Sequence, residues 1–82
     1  MPGVTVLYFA SVRERVGRDQ EPLELPERTT DQDLLRRLSS IHPSAAALFA
    51  CCRITVDQEY ISGAVALRPG SEIAVIPPVS GG

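Results

Sequence analysis

The chain has 82 residues, 44% of them hydrophobic, and a formal net charge of −2. This describes one small domain with enough apolar content to fold, and it excludes a disordered chain. The slightly acidic balance gives no electrostatic case for nucleic acid or for an anionic membrane. All eight basic residues are Arg, so the chain offers no lysine side chain of its own to an isopeptide bond. Cys51 and Cys52 are adjacent, which fits neither a zinc spacing nor a disulfide framework, and the expected home is a reducing cytosol. No basic leader and no apolar run of membrane-spanning length is present.

Taken in order, the chain predicts β-α-β-α-β-β-β. Val4 to Phe9 has strand composition and is apolar on both faces, as in a central strand covered on at least part of both sides. Ala10 to Val16 predicts a short helix, with Gly17 as the residue that ends it. Gln20 to Leu25 is a second strand, and Pro22, which cannot donate to a ladder, places it at an edge. Pro26 to Thr29 reads as a loop. Thr29 or Thr30 caps the one long helix, Asp31 to Ile41, whose Leu34, Leu35, Leu38 and Ile41 form an apolar stripe. His42-Pro43 ends it. Ala45 to Ala50 is short helix or irregular.

Cys52, Ile54 and Val56 alternate with Arg53, Thr55 and Asp57, a half-buried strand. Glu59-Tyr60-Ile61 is a very short strand, Ala64 to Leu67 is ambiguous, and Arg68-Pro69-Gly70-Ser71 is a turn. Glu72 to Ile76 is the last strand. It is apolar on both faces like the first, so the two are expected side by side at the sheet centre, with the long helix across one face.

The end of the sequence is its most distinctive part. Pro77-Pro78-Val79-Ser80-Gly81-Gly82 follows the apolar run directly. The prolines bias the tail to an extended path, and six residues at roughly 3.3 Å each reach about 20 Å. Gly81 and Gly82 have no Cβ, so this backbone fits a channel too narrow for side chains. The chemically distinctive group there is the α-carboxylate of Gly82.

Other candidates have duller readings. One of two neighbouring cysteines in a strand faces the core, which suits a free Cys better than nucleophilic work does. His42, the only histidine, ends a helix, where a cation stabilises the dipole. Arg36 and Arg37 read as a solvated face. Tyr60 beside Ile61 on a short exposed strand calls for something to cover it. No phosphate loop, metal cluster or Ser-His-Asp set is present, so the chain lacks the parts for catalysis on its own.

The element order resembles the β-grasp, or ubiquitin-like, fold: an α+β roll with a mixed sheet of about five strands covered by one main helix. Val6-Leu7-Tyr8-Phe9-Ala10-Ser11-Val12-Arg13-Glu14 and Gly70-Ser71-Glu72-Ile73-Ala74-Val75-Ile76-Pro77-Pro78-Val79-Ser80-Gly81-Gly82 resemble the small subunit of molybdopterin synthase, the MoaD-type sulfur carriers of the ThiS/MoaD group. The resemblance implies a domain over residues 1–76 and a flexible tail over 77–82. It implies that Gly82 is adenylated with ATP by an E1-like enzyme and becomes a covalent thiocarboxylate. That sulfur passes to cyclic pyranopterin monophosphate on the large synthase subunit, which carries the catalytic side chains. No cofactor or metal is expected on the chain itself, and the implied assembly is a heterotetramer with two copies of each subunit. Phe9, Arg13, Tyr60, Val75 and Ile76, with Pro77, form the expected partner surface at the root of the tail. Two other readings stay open: a sulfur carrier for thiamine or tRNA thiolation, and a ubiquitin-like modifier conjugated through Gly82.

Overall fold

The computed structural model describes residues 2–78. Val79, Ser80, Gly81 and Gly82 lie outside them, and so does the expected extended path of the tail. Seven strands and three α-helices follow in order: β1 (Gly3–Tyr8), α1 (Ala10–Val16), β2 (Gln20–Glu24), β3 (Arg28–Thr30), α2 (Asp31–Ile41), a 3₁₀ turn (Pro43–Ala45), α3 (Ala46–Phe49), β4 (Arg53–Val56), β5 (Glu59–Tyr60), β6 (Ala64–Ala66) and β7 (Glu72–Ile76). Five strands form one mixed sheet in the order β2-β1-β7-β4-β5, while β3 and β6 form a separate two-stranded sheet.

β1 and β7 are parallel neighbours inside the main sheet, with Thr5 opposite Glu72 and Tyr8 opposite Val75. Every other pairing in that sheet is antiparallel. β2, which contains Pro22, is an edge strand, as its missing amide hydrogen requires. β4 turns into β5 through Asp57 and Gln58, both at positive φ, the two-residue geometry that matches strand twist. The Asp57 Oδ1 then accepts the amide of Glu72 at 2.9 Å, fastening this hairpin to the start of β7.

The helices begin and end for local reasons. Thr30 Oγ1 accepts the amide of Asp33 at 3.0 Å, which identifies Thr30 as the cap of α2. Gly17 adopts φ 88 after α1, a conformation that disfavours any residue with a Cβ. Val12 from α1, Leu34, Leu35 and Leu38 from α2, and Phe49 from α3 join Val4, Val6, Tyr8, Ile54, Val56, Ile73 and Val75 in one buried cluster. The register puts these strand residues on one face of the sheet, and that face carries the helices.

Four expectations need correction. Pro26 to Thr29 is not all loop, because Arg28–Thr30 pairs with Ala64–Ala66. Phe9 belongs to no strand and instead precedes α1 as its cap residue. Ile41 leaves the apolar stripe and is 39% exposed, since α2 ends there and the core ends with it. Thr55 is buried although it alternates with Ile54 and Val56, because Ala74 and Tyr60 flank it across the sheet.

Candidate functional site

Alternate residues of the same strands line the other face. Leu7, Ala74, Thr55 and Tyr60 occupy one row across β1, β7, β4 and β5. The next row toward the tail contains Ile76 opposite Arg53. Phe9, extended at φ −125 and ψ 153, continues β1 toward the end where β7 finishes. No helix of the described residues contributes to the core from this side. Leu7, Ala74 and Ile76 are half-buried, Phe9 is 45% exposed and Tyr60 56% exposed. Pro77 is half-buried and Pro78 exposed, so an uncovered apolar face runs up to the root of the tail.

Of the expected surface residues, Phe9, Tyr60, Ile76 and Pro77 lie together, and Val75 and Arg13 do not lie on this face. Val75 is 0% exposed, because its register with Tyr8 and Ile54 turns it to the helix-covered face. A side chain without surface cannot meet a partner, so Val75 is a core residue. Arg13 is exposed on α1, 3.9 Å from Asp19, a solvent-facing pair that contributes little energy. Leu7, Ala74 and Arg53 belong to the face and were absent from the expected set. Their signal was in the sequence as the alternation of Leu7 with Val6 and of Ala74 with Ile73, but only the register says which alternate is covered. The Arg53 guanidinium carbon sits 4.3 Å from the centre of the Tyr60 ring, a cation–π contact.

Beneath the start of α1 lies a polar cluster. The Tyr8 hydroxyl donates to Glu21 Oε1 at 2.6 Å, His42 Nε2 lies 2.8 Å from the same oxygen, and Arg18 donates to Glu21 Oε2 at 3.1 Å. Tyr8 also meets the His42 ring edge-on at 5.9 Å. Burial, and then the bond to Glu21, push the Tyr8 hydroxyl above its ordinary range and keep it a donor. Burial alone would raise the Glu21 carboxyl, but hydrogen bonds from Tyr8 and His42 and the charges of His42 and Arg18 outweigh it and hold it low. The cluster joins β1, β2 and the end of α2, and it fixes the strand end from which Phe9 projects. The His42 side chain therefore serves Glu21 across the fold, not the carbonyls of its own helix.

Cys52 is not poised for attack. Cys52 is buried, its thiol donates to the Leu48 carbonyl, and burial together with Cys51 pushes it up to about 11. Cys51 is exposed and free. Among the described residues no group of His, Cys, Asp and Glu could hold a metal ion, and no helix is long and apolar enough to cross a membrane. A hollow of about 550 Å³ lies along Gly3–Thr5 and Pro22–Glu24, at the end of β1 away from Phe9.

A mixed sheet with parallel outer-sequence strands at its centre and one principal helix across it is the β-grasp architecture of ubiquitin-like proteins. The sequence pattern of the ThiS family matches residues 6–82, and the chain belongs to that family. A molybdopterin synthase sulfur carrier subunit from Chlamydomonas reinhardtii is 37% identical over 96% of this chain and 98% of its own length. A solved structure titled putative molybdopterin converting factor, subunit 1, from Pyrococcus furiosus superposes with a TM-score of 0.81 and 31% identity, covering 96% of this chain and all of that one. A complex of subunits 1 and 2 of molybdopterin-converting factor from Helicobacter pylori contains the same fold, with a TM-score of 0.70 and 20% identity over 98% of this chain and 99% of that one.

Proposed function

We propose that this chain is the sulfur-carrier subunit of a molybdopterin synthase. The observation that carries the reading is the match to a named sulfur carrier subunit over 96% of this chain and 98% of that one. The geometry agrees with a carrier. β7 ends at Ile76 beside an uncovered apolar face, so a partner held on that face receives whatever follows Pro77.

The chemistry then belongs to the Gly82 carboxyl. A carboxylate is an anion at neutral pH, with a pKa of about 3.5, and a poor electrophile. An E1-like enzyme would let it attack the α-phosphorus of ATP, displacing pyrophosphate and leaving an acyl adenylate. A sulfur nucleophile then displaces AMP and leaves the thiocarboxylate. On the large subunit this sulfur would form a carbon–sulfur bond on the side chain of the pterin precursor, cyclic pyranopterin monophosphate, as a carbon–oxygen bond there breaks and that oxygen leaves, and water cleaves the acyl–sulfur bond to return the carboxylate. Two such cycles build the dithiolene. The chain supplies the acyl carbon and the docking face, and its partners supply the catalytic side chains.

Single-turnover conversion with pre-formed thiocarboxylate and the large subunit tests this. Near-attack distances are about 3–3.5 Å and one residue spans roughly 3.3 Å, so deleting Gly82 should abolish transfer while leaving folding and docking nearly intact. Gly81→Ala should slow transfer much more than it weakens docking, because one Cβ must enter the channel. Near-normal turnover by the Gly82 deletion would sink the carrier reading. Intact-mass measurement of protein from its own host separates a carrier from a modifier, and molybdopterin formation with the large subunit separates this carrier from one serving thiamine or tRNA thiolation. A carrier shows the gain of sulfur for oxygen at the terminus, whereas a modifier shows covalent adducts on other proteins.

A further inference from the structure

The uncovered face is not uniformly apolar, and its charges are sorted along the strands. Among the described strand residues of this face, the acidic ones, Glu24 and Glu72, lie at the end with Gly3 and Thr5, away from the tail. The only cation is Arg53, at the tail end and directly across from Ile76. Its side chain is exposed and enters no ion pair among the described residues. It is nevertheless held in place, because its guanidinium rests over the Tyr60 ring.

That arrangement has a chemical consequence. A guanidinium resting on a ring face uses none of its N–H groups for that contact, and those groups form a fork that matches a carboxylate. A side chain already ordered by stacking loses less freedom when it binds. Surrounded by Ile76, Tyr60 and Ala74, the cation would be desolvated by any partner covering the face, and a desolvated cation needs a counter-charge. We propose that the partner docking here presents an Asp or Glu carboxylate to Arg53, within an otherwise apolar contact. The partner is taken as the large synthase subunit, so the inference rests on the function proposed above and specifies the chemistry of its docking surface. The Arg53 carboxylate pair fixes which way the partner lies over the sheet, because the other end of the face is acidic and repels the same group.

Calorimetric titration of the full-length chain into the large subunit from the same source tests it, with a melting curve for each variant. Arg53→Gln should weaken binding about tenfold or more while the melting temperature falls by no more than a few degrees. Arg53→Lys should recover only part of that loss, since an ammonium has neither the fork nor the stacking plane. Arg53→Glu should be weaker still, and an Asp or Glu to Arg change on the large subunit should restore its binding while weakening that of the unmodified chain. Arg53→Leu binding as tightly as the unmodified chain would overturn the inference, because Arg53 would then be padding for Ile76. In that outcome the proposed function stands, since docking itself is intact. If the unmodified chain fails to bind the large subunit at all, the proposed function falls and takes this inference with it.

Discussion

Ile73 and Ile76 are the same residue type on the same strand, three positions apart, and they end on opposite faces of one sheet. Ile73 is 0% exposed, packed with Val6 and Val56 beneath the helices. Ile76 is half-buried beside Arg53 on the face that no helix covers. The covered face holds the fold together, and the tail end of the open face exposes apolar side chains that no helix of the described residues covers. Apolar surface of that kind, continuous from Leu7 through Ala74 and Ile76 to Phe9 and Tyr60, is what a partner-binding face looks like before the partner arrives. The contrast separates the residues buried under the helices from those left on the open face.

The largest expected effect is on the covered side. Ile73→Ala removes a fully buried side chain and should cost about 2–5 kcal/mol, most of which the packed helices cannot recover by collapse. In a domain of this size that lowers the melting temperature by at least about 10 °C. Chemical denaturation read by circular dichroism measures it. A cost near zero would mean that the helix-covered face is not the core.

Next comes Glu21, the polar member of the covered side. Glu21→Gln keeps an oxygen for the Tyr8 hydroxyl but removes the charge that faces His42 and Arg18, and should cost about 1–3 kcal/mol. The folded-state carboxyl is held below its unfolded value. Its contribution is therefore fully present above the unfolded value of about 4.3 and is lost as pH falls from there through the lower folded value. The unmodified protein should lose stability more steeply than Glu21→Gln in that acid range. Parallel curves for the two proteins would show that Glu21 is not the group responsible.

How much of this contrast could be read in the sequence follows from what each feature depends on. β1, β7 and α2 were legible because Val4 to Tyr8 and Ile73 to Ile76 are dense in strand formers, while α2 carries both a cap and a leucine stripe. The β-grasp order and the family likeness were legible for the same reason, since they rest on those elements and on the end motifs. Which of Val75 and Ile76 lies on the open face was not legible: both are apolar, and only the placement of the helices assigns them. β3 and β6 escaped because three-residue strands have no period to detect, and Arg28 finds Ala66 only in the folded chain. The Tyr8–Glu21–His42 cluster escaped likewise, its members being 13 and 21 positions apart. The Arg53–Tyr60 pair is invisible until the β4–β5 turn sets its register.

The open face supplies the smaller effects on stability. Ile76→Ala should cost about 1 kcal/mol, the part of the side chain that Arg53 and its neighbours cover, and should weaken docking at the same time. Reading both quantities on one variant is the most direct comparison with Ile73→Ala. The covered-face change should lower stability strongly and leave the affinity of the remaining folded protein alone, whereas the open-face change should lower stability much less and affinity as well.

Tyr60→Arg should move stability least of all. Tyr60 is 56% exposed on a two-residue edge strand, and its contact with Arg53 is a surface cation–π pair worth about 0.5–1 kcal/mol. Its backbone pairing with Thr55 needs no particular side chain. Binding is a different matter. The substitution removes an aromatic side chain of the kind that dominates interface energetics, sets a second cation beside Arg53, and takes away the ring on which Arg53 is ordered. Affinity for the large subunit should therefore fall at least about tenfold, in calorimetry run beside a melting curve that stays within a few degrees of the unmodified protein. Unchanged affinity would remove Tyr60 from the docking face and shrink that face to the strip from Phe9 to Ile76. A collapsed melting curve would place Tyr60 with the core residues and erase the division between the two faces at the β5 edge.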